Sequence, residues 1–277
     1  LGIPVHETVL GIRDGRIVCA CRDFTFPDSR LVNFHDLKNS LSDDEPGFTE
    51  DASTGSGVVL ADVRSAIHRI PVLRSIDGVS DRFWDMFVVD AFIRNIDRNN
   101  TNWGVLRNPR GEFSLAPVYD NGNSFNNKRT DSGIERRLAN PDLIRQDALD
   151  VRSCYVTDRG KPIAPLKYLA SGQDEECTKA LDRFMERYDP RSFHDLLGSI
   201  PSMSHGLTVV PDGFHEYHRR VCDYRYEHAF MEAWRDLHPT VGVPSSPEAS
   251  VPEPLPDPDP SVLPSSSVPT CFDGPGM

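Results

Sequence analysis

The chain has 277 residues, 38% of them hydrophobic, with 14 Phe, 7 Tyr and 3 Trp, enough apolar side chain to close a sizeable core in one domain. Its formal net charge of -12 at pH 7 excludes nonspecific attraction to nucleic acid or to an anionic membrane, both of which demand a positive field, and leaves basic partners easier to accommodate. No run is long and apolar enough to cross a bilayer and no secretory signal opens the chain, so a cytoplasmic protein without membrane or direct nucleic-acid contact is expected.

The first segment, "VHETVLGIRDGRIVCACRDF", reads as two strands, 5–12 and 16–24, joined by a turn at Asp14 and Gly15. Two strands are marginal alone, so their sheet needs partners from elsewhere. Cys19 and Cys21 share a face of the second strand, and with the scattered Cys154, Cys177, Cys222 and Cys271 they are expected to be free thiols in a reducing compartment. "STGSGVV" (53–59) lacks the lysine of a phosphate-binding loop and reads as a linker.

The middle is helical. Apolar residues at helical spacing cover 62–74 until Pro71 interrupts them, and "SDRFWDMFVVDAFIRNI" (80–96) predicts a central helix that Ser80 or Asp81 can cap. "WGVLRN" and "EFSLAPVYD" read as a hairpin around "NPRG", followed by the polar loop "NGNSFNNKRTD". Helices are expected over 141–150, 174–188, 190–200 and 212–237. His215 and His218 share a helical face without a carboxylate partner in a known motif, which predicts surface or core residues rather than ligands. From Pro239 the chain is dominated by Pro, Ser and acids, a composition that cannot offset ordering entropy by burial, so 239–277 reads as a disordered tail.

One constellation carries chemistry. "NIDRNNTN" opens directly behind the central helix and sets Asp97 and Asn102 in a D-x-x-x-x-N spacing; the hairpin then returns Asp120 in "VYDNG". A carboxylate beside a nucleophile, with an amide oxygen and a second carboxylate for a hard cation, is what phosphoryl transfer requires. Taken singly, the same residues also fit a helix-ending amide loop capped by Asp97 and a plain Asp-Asn-Gly turn. Their combination is the kinase pattern.

"FWDMFVVDAFIRNIDRNNTNWGVL" followed by "FSLAPVYDNGNSF" resembles the kinase core of HipA-like serine/threonine kinases, over most of residues 1–236. The resemblance implies an α+β, protein-kinase-like fold: a remnant of smaller-lobe strands and hinge at 1–30, a helical larger lobe at 31–238 carrying the catalytic loop, and the tail at 239–277. It further implies that Asp97 is the catalytic base, that Asn102 and Asp120 are Mg²⁺ ligands, and that Ala20, Cys21, Arg22 and Asp23 hold the adenine of ATP. Asn99 stands near the nucleotide where many relatives have histidine; its amide donates hydrogen bonds but does not titrate. The phosphate-gripping loop and its lysine have no counterpart before the hinge, which reads as a chain that begins inside the smaller lobe. The expected activity is ATP- and Mg²⁺-dependent phosphorylation of a protein Ser or Thr, with an antitoxin-like protein as regulatory partner. The alternatives are a lipid or small-molecule kinase of related fold and a degenerate scaffold that acts by contact.

Overall fold

Asp14 and Gly15 both take positive φ, 51° and 69°, the backbone that lets a two-residue turn follow the twist of its strands. They join β1 (Thr8–Arg13) to β2 (Arg16–Cys21), antiparallel from Thr8 opposite Cys21 to Arg13 opposite Arg16. The computed structural model describes residues 1–42 and 57–239; the expected tail beyond 239 and positions 53–56 of the Gly-rich stretch lie outside them. Among the described residues β1 and β2 have no third strand, and Val9 on β1 is 66% exposed.

A second sheet frames the motif region. β3 (Arg30–Asn33) leads into α1 (Phe34–Ser42), a strand and helix the sequence pattern did not predict. Then come β4 (Val58–Val59), α2 (Leu60–Arg69), α3 (Pro71–Arg74) and α4 (Val79–Ile93), with Pro71 at the first turn of α3 dividing the stretch 62–74 as expected. β5 (Gly104–Arg107) and β6 (Phe113–Leu115) form the predicted hairpin, and β5 also pairs with β3, so the sheet order is β3-β5-β6. Gly104 is required there: a Cβ would lie 2.7 Å from Asn33 Cα and closer still to the Val32 carbonyl oxygen.

The remaining elements are α5 (Asp131–Leu138), α6 (Pro141–Leu149), β7 (Tyr155–Val156), α7 (Pro165–Ser171), α8 (Glu175–Arg187) and α9 (Pro190–Gly198). β8 (Met203–Ser204), β9 (Leu207–Thr208), α10 (Phe214–Arg225) and α11 (Met231–Leu237) complete the described chain. β4 runs parallel to β7. The single helix expected over 212–237 is α10 and α11 joined by a π-helical turn, Tyr226–Phe230. α8 starts where expected because the Asp174 carboxylate accepts from the amides of Glu176 and Cys177.

α4 runs through the core. Trp84 and Val88 are fully buried; Trp84 meets Phe87 at 5.4 Å and stacks on Tyr168 at 5.9 Å, while Phe83 meets Trp103, which stacks on Phe34 at 4.2 Å. The expected cap at Ser80 or Asp81 is not used. Gly78 is the N-cap, in a left-handed conformation without a side-chain hydrogen bond. Ser80 donates instead to Glu176 at 2.7 Å and Asp81 pairs with Arg183 at 3.0 Å. A cap contributes only about 1 kcal/mol, and here both side chains tie α4 to α8. No helix among the described residues is long and apolar enough to cross a membrane.

Candidate active site

α4 ends sharply. Arg94 takes a left-handed C-cap conformation, φ 58° and ψ 46°, with its amide donating to Asp90 O. The chain then turns through buried Asn95, whose side-chain amide donates to Asp90 Oδ1 at 3.1 Å and whose Oδ1 accepts from the Asp97 amide at 3.2 Å. Asp97 is fixed on both carboxylate oxygens: Asn99 Nδ2 donates to Oδ1 at 3.0 Å and Asn123 Nδ2 to Oδ2 at 2.8 Å. The carboxylate is held in direction while each oxygen keeps a further lone pair.

Asn102 is oriented by the same loop. Its Nδ2 donates to the Asp97 carbonyl at 2.7 Å, which leaves Oδ1 as the end that faces away. Thr101 Oγ1 lies 3.2 Å from that Oδ1 but only 2.6 Å from Asn99 Oδ1. A hydroxyl has one proton to donate, and the shorter contact takes it. Asn102 thus presents an uncommitted amide oxygen. Asn99, by contrast, spends both ends of its amide inside the loop, on Asp97 and on Thr101.

The second loop arrives from β6. Val118 pairs with the N-terminal segment, accepting from His6 N at 3.0 Å and donating to Pro4 O at 2.8 Å, and the Tyr119 hydroxyl donates to Thr101 O at 2.9 Å. Burial pushes the Tyr119 phenol well up from its ordinary value, so it stays a donor. Asp120 follows at φ 53°, its side chain exposed; no hydrogen bond or ion pair to its carboxylate is found among the described residues.

Arg98 joins the two loops. It is 2% exposed and donates to Asp90 through Nε at 2.9 Å and Nη2 at 3.2 Å, to Asn102 O at 2.8 Å, to Tyr119 O at 2.5 Å and to Asn121 Oδ1. Burial pushes the Asp90 carboxyl up. For Arg98 burial acts downward but is outweighed by Asp90, which holds the guanidinium above its ordinary value. The two-pronged geometry around a permanent cation keeps the pair ionised. Behind it opens a cavity of about 900 Å³, with Asp90, Arg98, Asn121 and Ser124 on its polar wall.

The positions expected at the nucleotide hinge lie at and beyond the end of β2. Ala20, Cys21, Arg22 and Asp23 are all exposed. Arg22 pairs with Glu7 at 2.9 Å, and Asp23 accepts from Thr25 N and Oγ1, bonds that hold its carboxyl below the usual range. Phe24 packs on Tyr119 with ring centroids 5.6 Å apart, so this stretch ends beside the loop of Asp120. The structure therefore brings Asp97, Asn99 and Asn102 into one hydrogen-bonded loop and Asp120 to it through Arg98.

Sequence reasoning missed Asp90, Arg98, Asn121 and Asn123. The one signal was Asp90 itself, an acid within the apolar run of α4.

No protein-family model matches the chain. The serine/threonine-protein kinase CtkA of Helicobacter pylori (strain J99) is 34% identical over 206 residues, 74% of this chain and 61% of that protein, so the chain spans less than two thirds of its relative's length. The crystal structure of a Helicobacter pylori proinflammatory kinase CtkA is similar with a TM-score of 0.75 and 29% identity, covering 87% of this chain and 83% of that one. The chain is a homologue of CtkA, a HipA-like serine/threonine kinase, and shares its α+β kinase fold.

Proposed function

We propose that this chain is the core of a serine/threonine-protein kinase that transfers the γ-phosphoryl group of ATP to a protein hydroxyl. The observation that carries the reading is the Asp97 carboxylate, locked on both oxygens by Asn99 and Asn123, in the loop whose Asn102 keeps an uncommitted amide oxygen. Asp97 orients the incoming hydroxyl and takes its proton as the new O–P bond forms. The bond from the γ-phosphorus to the β–γ bridging oxygen breaks, and ADP carries away that electron pair.

Two hard oxygen donors, Asn102 Oδ1 and the exposed Asp120 carboxylate, fit Mg²⁺. Those residues would hold the ion, which when bound neutralises charge on the phosphate oxygens. Residues 20–23 would take the adenine through backbone groups. Asn99 serves the loop, keeping Asp97 aimed. On this reading residues 1–30 belong to the smaller lobe and hinge, and 31–238 to the helical lobe.

The test is phosphoryl transfer from γ-labelled ATP to protein acceptors, including the chain itself, by the parent, Asp97→Ala and Asp120→Ala, with folding checked by circular dichroism. Loss of transfer in both folded variants is expected; activity retained in either overturns its assigned role. The exposed β1–β2 hairpin favours a second reading, a scaffold that acts by contact. A parent that neither binds ATP with Mg²⁺ nor transfers phosphate would select it.

A further inference from the structure

We infer that Arg98, anchored by Asp90, is the positioning residue that sets the spacing between Asn102 and Asp120 and with it the affinity of the divalent-cation site. The inference rests on the phosphoryl-transfer reading. Neither candidate ligand touches Arg98 through its side chain. Arg98 instead holds the main-chain carbonyl of Asn102, and on either side of Asp120 it holds the Tyr119 carbonyl and the Asn121 side-chain oxygen. Two loops that reach the site from different elements are thus gauged by one rigid planar group.

The fork matters more than the charge. A guanidinium carries five N–H donors in fixed directions, and the five contacts of Arg98 reach α4, the Asn102 loop and the Asp120 loop. An ammonium group would pair with Asp90 but cannot span both carbonyls and Asn121 from one point. Asp90 has two duties. It fixes the rotation of the fork, itself steadied by Asn95, and its negative charge offsets a buried cation that would otherwise repel a divalent ion.

The experiment is titration of Mn²⁺ into the full chain with ADP present, followed by electron paramagnetic resonance, for the parent, Asp120→Ala, Arg98→Lys and Asn121→Ala, with melting temperatures measured alongside. Groups that orient metal ligands typically change affinity 10- to 100-fold when altered. Arg98→Lys is expected to weaken Mn²⁺ binding about tenfold, at the low end of that range, and Asn121→Ala about threefold, below it because the other four contacts of Arg98 remain, both with folding retained.

A parent and Asp120→Ala that bind Mn²⁺ alike would overturn the metal-ligand role that the phosphoryl-transfer reading gives Asp120. A parent that binds, Asp120→Ala that does not, and folded Arg98→Lys and Asn121→Ala with unchanged affinity would overturn the positioning role alone. A purely structural role lowers the melting temperature without moving the affinity of the folded fraction. Should Arg98→Lys fail to fold, Asn121→Ala decides, because it removes an acceptor at the surface of the network and buries no new charge.

Discussion

His218 is buried in α10 at 2% exposure, edge-on to Phe125 at 5.5 Å, Phe214 at 4.4 Å and Tyr217 at 4.8 Å. Burial first, then the nearby Arg225 and Arg129 charges, pushes its imidazole down to about 3; His215 adds to that push and Asp147 opposes it. In the unfolded chain the same ring titrates near 6.5. Between those values the unfolded state binds a proton that the folded state refuses, so this contribution to stability is whole above pH 6.5 and is lost as pH falls toward 3. At pH 5.0 the unfolded ring lies about 1.5 units above ambient, which at about 1.36 kcal/mol per unit is a loss of about 2 kcal/mol. Urea midpoints at pH 7.5 and 5.0 for the parent and His218→Phe read this directly, because every other titrating group is common to both. The parent should lose about 2 kcal/mol more than the variant on acidification. Equal losses would refute the buried neutral imidazole. The consequence reaches the site, since Phe125, which leans on His218, lies in the loop that follows Asp120.

Two other substitutions test how the site is built. Asp90→Ala strands the Arg98 guanidinium without its counter-charge, and it should cost about 3–5 kcal/mol in urea denaturation, while Asp90→Leu with Arg98→Met should cost less than the sum of the single changes; a single-variant loss below about 1 kcal/mol would mean the pair is not buried as described. Gly104→Ala drives a methyl into the β3 backbone at Asn33, an overpacking of about 1–3 kcal/mol that should lower the melting temperature by several degrees, and an unchanged melting curve would contradict the close approach of β3 and β5.

What the sequence made legible was periodic or local. α4 announced itself through apolar residues at helical spacing, the turn at Asp14 and Gly15 through its backbone needs, and the candidate chemistry through the spacing of Asp97 and Asn102 with a following Asp120. What stayed hidden depended on partners brought in from far along the chain. Ser80 and Asp81 were good caps by local rules, yet α8 claimed both, and nothing near residue 80 signals Glu176 or Arg183. Asp90 is a single acid inside an apolar helix and Arg98 one more charge in a polar loop, and neither belongs to the D-x-x-x-x-N pattern. Only the reversal of chain at Arg94 sets them face to face, and only the return of the β5–β6 hairpin supplies Tyr119 and Asn121. Motif residues such as Asp97 and Asn102 are recognisable because the chemistry dictates their type and spacing. The residues that hold them in place answer to geometry alone, and any sufficiently long donor could satisfy a pattern search at position 98. The fork of Arg98 is demanded by four separate acceptor residues, on α4 and on two loops, that come together only in the folded chain.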